Sequence, residues 1–196
     1  MLQIIKEKND FFTSVERAFD EIDRDWRKYN GVVIVGSHTP DKIIDKLNMI
    51  RMCREQNIPF LGICMGMQLM AVEFAKNVLG IENATSQELE PTLSNNIVVK
   101  MPQLRVGIFP VHYKKEPVPE SHWHNYKVNE GFIDLFSVNF DTIITQDFMY
   151  GKVLEYMKLK DHKHFVGTQF HPEYQSSKDK PHPILLEFIK ICKKNG

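Results

Sequence analysis

Cysteine is scarce in this chain of 196 residues: Cys53, Cys64 and Cys192 are all there is. A sparse, odd count excludes a disulfide framework and fits thiols in a reducing compartment. Excess charge of either sign is absent, because 25 Lys and Arg balance 25 Asp and Glu. That argues against a phosphate-backbone binder, which needs a basic surplus or patch, and Trp123 alone is no stacking platform. Long hydrophobic runs are missing too. The longest mostly apolar stretch, Ile58 to Val72, is interrupted by Pro59, Gln68 and two glycines, and is too short to span a bilayer. The first residues, Met1 to Lys8, carry no signal-peptide core, so a cytoplasmic location without membrane contact is expected. Internal repeats, low-complexity tracts and heptads are absent as well.

What is present is ordinary for a globular protein: 42% apolar and 26% charged residues. At ~150 residues per domain, one domain over residues 1–196 is expected. Its core should bury ~70% of the extended surface without staples. Short apolar runs alternate with amphipathic ones. Leu2–Ile5 suits a short strand. Phe11 to Tyr29 suits a helix, with Thr13 or Ser14 as N-cap and Gly31 as its end. Val32–Val35 and Phe60–Ile63 are continuous apolar runs of the kind found in buried parallel strands. Asp41–Gln56 and Met65–Leu79 suit helices, the second stopped at Gly80. Strand–helix–strand–helix with short connections predicts an α/β layer structure. Further on, Ile97–Val99 and Val106–Phe109 suit strands broken by Pro102 and Pro110. Pro117–Trp123 suits a loop, Val153–Lys160 and His164–Phe170 a strand pair, and Ile184–Lys193 a closing helix.

The most informative window is Gly62-Ile63-Cys64-Met65-Gly66. It has the form of a nucleophile elbow with cysteine in the serine position. Glycines two before and two after let strand and helix approach. The thiol stands at the positive end of the helix dipole, and the Met65 N–H can donate to a developing oxyanion. A structural role is the alternative for a lone cysteine, and Cys53 and Cys192 take that reading. Cys64 has both a buried strand before it and a helix after it. A nucleophilic thiol needs a base, and the base an orienter. His171 and Glu173, in Gly167-Thr168-Gln169-Phe170-His171-Pro172-Glu173, supply both. Cys64 and His171 each follow a strand, so both can reach the carboxyl edge of one sheet. His122/His124 and His162/His164 have a metal-compatible spacing, but no cysteine or carboxylate stands in register, so no metal is expected.

With these residues in view, the chain resembles a class I, triad-type glutamine amidotransferase. Pro59 to Gln68 and Gly167 to Glu173 carry the likeness. Glu73–Gly80, Ala84–Glu88, His124–Asn129 and Pro181–Pro183 are similar to the glutaminase domain of CTP synthase, and the likeness runs from about Gly31 onward. The resemblance implies a three-layer, flavodoxin-like α/β fold, a mostly parallel sheet with helices on both faces, and no cofactor. It implies that Cys64 attacks the γ-carboxamide of glutamine through a γ-glutamyl thioester, with His171 as proton carrier and Glu173 as its orienter. Gly36 and Met65 would form the oxyanion hole. Gln68 and Glu88 would hold the α-amino end, and Asn125-Tyr126 would meet the α-carboxylate.

Departures accompany the likeness. The likeness is to the glutaminase domain alone, and none of these 196 residues is expected to form a synthetase domain. Val35-Gly36-Ser37-His38 stands where the family has Pro-Gly-Gly-Phe, so Ser37 replaces a glycine beside the oxyanion hole. The arginine-rich run before the tyrosine reads Ser121-His122-Trp123-His124-Asn125. Three functions follow as alternatives: a glutaminase subunit for a separate synthetase, a free-standing hydrolase of a γ-glutamylated nucleotide or amine, and a non-catalytic glutamine-binding module.

Overall fold

The structure, a computed structural model, describes residues 1–5, 10–37, 41–113 and 116–195. In chain order its elements are β1 (Gln3–Ile5), α1 (Asp10–Ile22), β2 (Val32–Ile34), α2 (Ile43–Glu55), β3 (Phe60–Ile63), α3 (Met65–Asn77), β4 (Thr85–Ser86), β5 (Asn96–Val111), β6 (Val118–Val128), α4 (Glu130–Asn139), β7 (Phe140–Asp147), β8 (Gly151–Leu159), β9 (Phe165–Thr168) and α5 (Pro183–Lys194). Short 3-10 turns lie at Trp26–Lys28 and Pro172–Tyr174.

Six strands form one sheet in the order β1-β2-β3-β9-β8-β7. β1, β2, β3 and β9 run parallel, and β8 and β7 extend the sheet antiparallel. Strand alternation divides the core in two. Val33, Leu61, Ile63 and Val166 face α1 and α5, packing with Phe19, Leu185 and Phe188. Val32, Ile34, Phe60 and Phe165 face the opposite side, packing with Ile50 of α2 and Met70 and Phe74 of α3. Because helices cover both faces, every residue of β3 and β9 is buried. That is why their sequences read as continuous apolar runs. The fold is the expected three-layer α/β architecture.

Several local expectations are corrected. The first helix stops at Ile22 rather than Tyr29. Asp23 accepts from the Asp25 N–H at 3.0 Å and the Tyr29 hydroxyl at 2.8 Å, drawing the chain into a turn. Thr13 and Ser14 lie inside α1 rather than capping it. Pro102 and Pro110 do not break strands; both lie within β5. The β5–β6 register shifts between Lys100 and Arg105, so Pro102 sits at an irregularity, and Pro110 pairs with Pro119 near the hairpin end. The expected loop 117–123 is mostly β6. Unanticipated altogether are α4, which Asn129 caps by accepting from the Gly131 N–H at 3.1 Å, β7, and a second sheet of order β4-β5-β6.

Candidate active site

The elbow forms where β3 runs into α3. Cys64 adopts φ 55° and ψ −108°, a region that costs a side-chain-bearing residue strain and that the surroundings must impose. They impose it from both sides. The Cys64 N–H donates to the Thr168 carbonyl at 2.7 Å, and the Cys64 carbonyl accepts from the Gln68 N–H at 3.1 Å. Close approach of backbones makes glycine obligatory on either side. A Cβ on Gly62 would lie 2.6 Å from the Gly66 carbonyl carbon, and one on Gly66 would lie 2.1 Å from the Ile34 oxygen.

The parallel pairing of β3 with β9 sets Ile63 opposite Thr168, so the chain after β9 runs past the elbow. There the His171 Nδ1–Glu173 Oε1 distance is 2.7 Å, with both side chains fully buried. A carboxylate on Nδ1 fixes the ring's tautomer and orientation. The His171 N–H donates to the Ser121 carbonyl of β6 at 2.8 Å, and Arg17 Nη2 reaches the Glu173 carbonyl at 3.1 Å, so the couple is held from two layers. Burial alone would discharge the ring. The Glu173 carboxylate and the Cys64 sulfur, which shares a hydrogen bond with the ring, outweigh it and raise His171 to about 10. An imidazolium held this way stabilises the fold fully below its unfolded pKa of ~6.5, and that contribution fades as pH rises toward about 10. Glu173→Gln should therefore cost about 3 kcal/mol at pH 6, as for a broken buried pair. That is roughly 6–12 °C in Tm for a chain of this size. The difference between variant and parent should shrink steadily toward pH 10; melting curves across that range check it, and a difference constant with pH would contradict it.

Beside the sulfur is a cavity of about 90 Å3. Cys64, Met65, Gln68, Glu88, Asn125 and Tyr126, all singled out from the sequence, line it, and Ser37, Leu104, Trp123 and His124 complete the wall. Gly36 lies against the pair: a Cβ there would stand 3.4 Å from both Cys64 Cβ and His171 Cε1. The neighbouring His38 lies outside the described residues. Burial pushes the Glu88 carboxyl up, and burial followed by the Glu88 charge raises the Tyr126 phenol. Gln68 Nε2 donates to the Tyr126 carbonyl at 2.9 Å and to Gln169 Oε1 at 3.2 Å. The geometry thus brings together a buried thiol, a buried imidazole on a carboxylate, and a recess that holds Glu88.

The remaining histidines of interest have structural partners. His122 approaches Glu155 Oε2 at 2.8 Å through Nε2 and the Glu120 carbonyl at 3.0 Å through Nδ1. Glu155 also pairs with buried Arg105 at 2.9 Å. The Nδ1–carbonyl contact of His124 to Tyr126 is 2.8 Å, and burial, then the neighbouring His122, pushes its pKa well below the ordinary histidine value. His162 Nε2 meets the Cys53 carbonyl at 3.1 Å. Among the described residues no group of three His, Cys, Asp or Glu is placed to hold a metal ion, and no helix is long and apolar enough to cross a membrane. The sequence reading placed the Ser121–Asn125 run, with Trp123 and His124, beside the site, but missed Leu104 as a lining residue and gave Gln169 no role. For Gln169 a signal existed, since it stands two positions before His171. For Leu104 none did, because the irregular β5–β6 register decides where it points.

Fold and site together define a three-layer α/β protein with a buried thiol at a strand-to-helix elbow, backed by a His–Glu couple. Residues 7–191 match the class I glutamine amidotransferase family, and the chain belongs to it. It is 33% identical to a CTP synthase of Thermomicrobium roseum, over 92% of this chain and 36% of that protein. A CTP synthase of Ruminiclostridium cellulolyticum is 36% identical over 83% of this chain and 34% of that protein. The chain spans about a third of the length of these relatives. The fold is shared with the glutaminase domain of Trypanosoma brucei CTP synthase solved with bound acivicin, at TM-score 0.86 and 21% identity, covering 100% of this chain and 94% of that one.

Proposed function

We propose that this chain hydrolyses the γ-carboxamide of glutamine to glutamate and ammonia, and that the ammonia goes to a synthetase. The observation carrying this reading is the buried His171–Glu173 couple at 2.7 Å, whose ring meets the Cys64 sulfur at the wall of the cavity. In this scheme the α-ammonium of glutamine is held by Gln68 and Glu88, and its α-carboxylate lies along Asn125-Tyr126. The Cys64 thiolate attacks the γ-carbonyl carbon. The oxygen gains negative charge and is met by the Met65 N–H, one of the first-turn donors of α3 that lack an i−4 acceptor, and by Gly36. The His171 imidazolium gives its proton to the leaving nitrogen, ammonia departs, and a γ-glutamyl thioester remains on Cys64. Acylation removes the sulfur's charge, one of the two supports of the imidazolium. The neutral ring then takes a proton from water, which attacks the thioester, and glutamate is released with the thiolate regenerated. Glu173 orients the ring throughout.

The test is glutamate release from L-glutamine by the purified chain, together with labelling of Cys64 by 6-diazo-5-oxo-norleucine. Turnover with label on Cys64 supports the reading. Neither turnover nor label would leave the non-catalytic binding module. A second reading, hydrolysis of a γ-glutamyl amide with a larger amine, is favoured by Trp123, 47% exposed, and Leu104, 38% exposed, on the cavity wall. It predicts a higher kcat/KM for a γ-glutamyl arylamide than for glutamine.

A further inference from the structure

Gln169 is fully buried, in a position that the β3–β9 pairing brings beside the elbow. Its backbone N–H donates to the Glu155 carbonyl at 2.9 Å, which ties it to β8. Its side chain spans two elements of the site. Nε2 donates to Cys64 Sγ at 3.7 Å, and Oε1 accepts from Gln68 Nε2 at 3.2 Å.

The polarity of this bridge has consequences. An amide offers donors at one end and acceptors at the other. With Oε1 of Gln169 turned to Gln68, its N–H groups are the ones that face sulfur. Both N–H groups of Gln68 are then used, one on Gln169 Oε1 and one on the Tyr126 carbonyl at 2.9 Å. Gln68 is left with only Oε1, an acceptor, to offer a ligand in the cavity. That polarity suits an ammonium and disfavours a carboxylate at this wall. A donor on the sulfur is also worth more when the sulfur is an anion, because hydrogen bonds to charged groups are the stronger ones. Unlike His171, the amide does not titrate, so it holds the sulfur at any pH and with any proton count on the ring.

We propose that Gln169 is a positioning residue that fixes the Cys64 sulfur on one side and, through Gln68, sets the site to accept a cationic group on the other. This rests on Cys64 being the nucleophile of the reaction above.

Two variants separate the two halves of the bridge. Gln169→Glu keeps an acceptor for Gln68 but loses the donor to sulfur; Gln169→Met loses both. Alkylation of Cys64 by iodoacetamide, followed by peptide mass spectrometry between pH 6 and 9, reads the sulfur without any glutamine. Both variants should alkylate Cys64 about tenfold more slowly at pH 7, the effect of one hydrogen bond to a charged group. The rise in rate with pH should be displaced to higher pH in Gln169→Glu, where two anions would face each other. With L-glutamine, Gln169→Glu should lower kcat and leave KM near the parent's, whereas Gln169→Met should also raise KM about tenfold. Should Gln169→Glu fail to fold, Gln169→Met decides the outcome. A Gln169→Met protein that melts with the parent and alkylates Cys64 at the parent's rate would overturn the proposal. If the parent alkylates readily but turns over no glutamine, the functional reading fails while the role of Gln169 at the sulfur is still measured.

Discussion

Cys64→Ala should reduce glutamate release from L-glutamine by on the order of 10^4 to 10^6-fold, the scale seen when a covalent nucleophile is removed. The reason is specific to a two-step reaction. Without sulfur no thioester forms, and His171 and Glu173 have no acyl group to resolve. What survives is binding in the cavity and stabilisation of an oxyanion, which cannot replace the missing bond. The substitution should leave the fold intact. Alanine has the same backbone preference as cysteine at φ 55°, so the strain is unchanged, and only one buried sulfur is lost. Stability should change by about 1 kcal/mol. Cys53 and Cys192 serve as controls. Both are fully buried, and burial raises both thiols, Cys53 to about 12. Replacing either with alanine should leave kcat unchanged. A glutamate-dehydrogenase-coupled assay beside a thermal melt measures all three variants. Residual turnover of more than a few per cent in Cys64→Ala would sink the covalent mechanism.

Gly66→Ala should be the most destabilising alanine substitution among the described glycines. The new carbon would lie 2.1 Å from the Ile34 oxygen and 2.9 Å from the Ile34 carbonyl carbon, both backbone atoms of the adjoining strand region. No rotamer relieves a backbone clash, so β2 and α3 must separate. That loosens the packing of Val32 and Ile34 against α3 and re-aims Cys64 at once. A loss of about 4 kcal/mol or more is expected, in the range reserved for disrupted cores and forbidden backbones. Gly80→Ala is the informative contrast. Gly80 has φ +67° but nothing within 4 Å of a new Cβ. Only conformational strain opposes alanine there, about 1 kcal/mol. Urea denaturation of the two variants side by side distinguishes contact from conformation. Equal losses would mean that the β2–α3 approach is looser than the structure has it.

The parts legible in the sequence were those with a local cause. The runs Val32–Val35 and Phe60–Ile63 were readable because parallel strands covered on both faces must be apolar at every position. The elbow was readable because a sharp strand-to-helix turn between close backbones leaves no room for side chains at Gly62 and Gly66. The His171-Pro172-Glu173 couple was readable because its partners are two residues apart. By contrast, prolines at 102 and 110 misled, since a bulge and a hairpin end tolerate what a central strand does not. The end of α1 misled because Asp23 finds turn partners that helix periodicity does not record.

The α/β layering, the thiol elbow and the contact of Glu173 with His171 thus follow from the chain's own pattern, because each rests on short-range sterics, burial or chain proximity. Which of these meet was set by long-range packing. β9 had to insert between β3 and β8 for His171 and Gln169 to reach Cys64, and the β5–β6 hairpin had to fold across the elbow for Asn125, Tyr126 and Trp123 to wall the cavity. Strand order and register between distant segments are settled by which faces can be buried together, and a one-dimensional pattern holds no record of that choice.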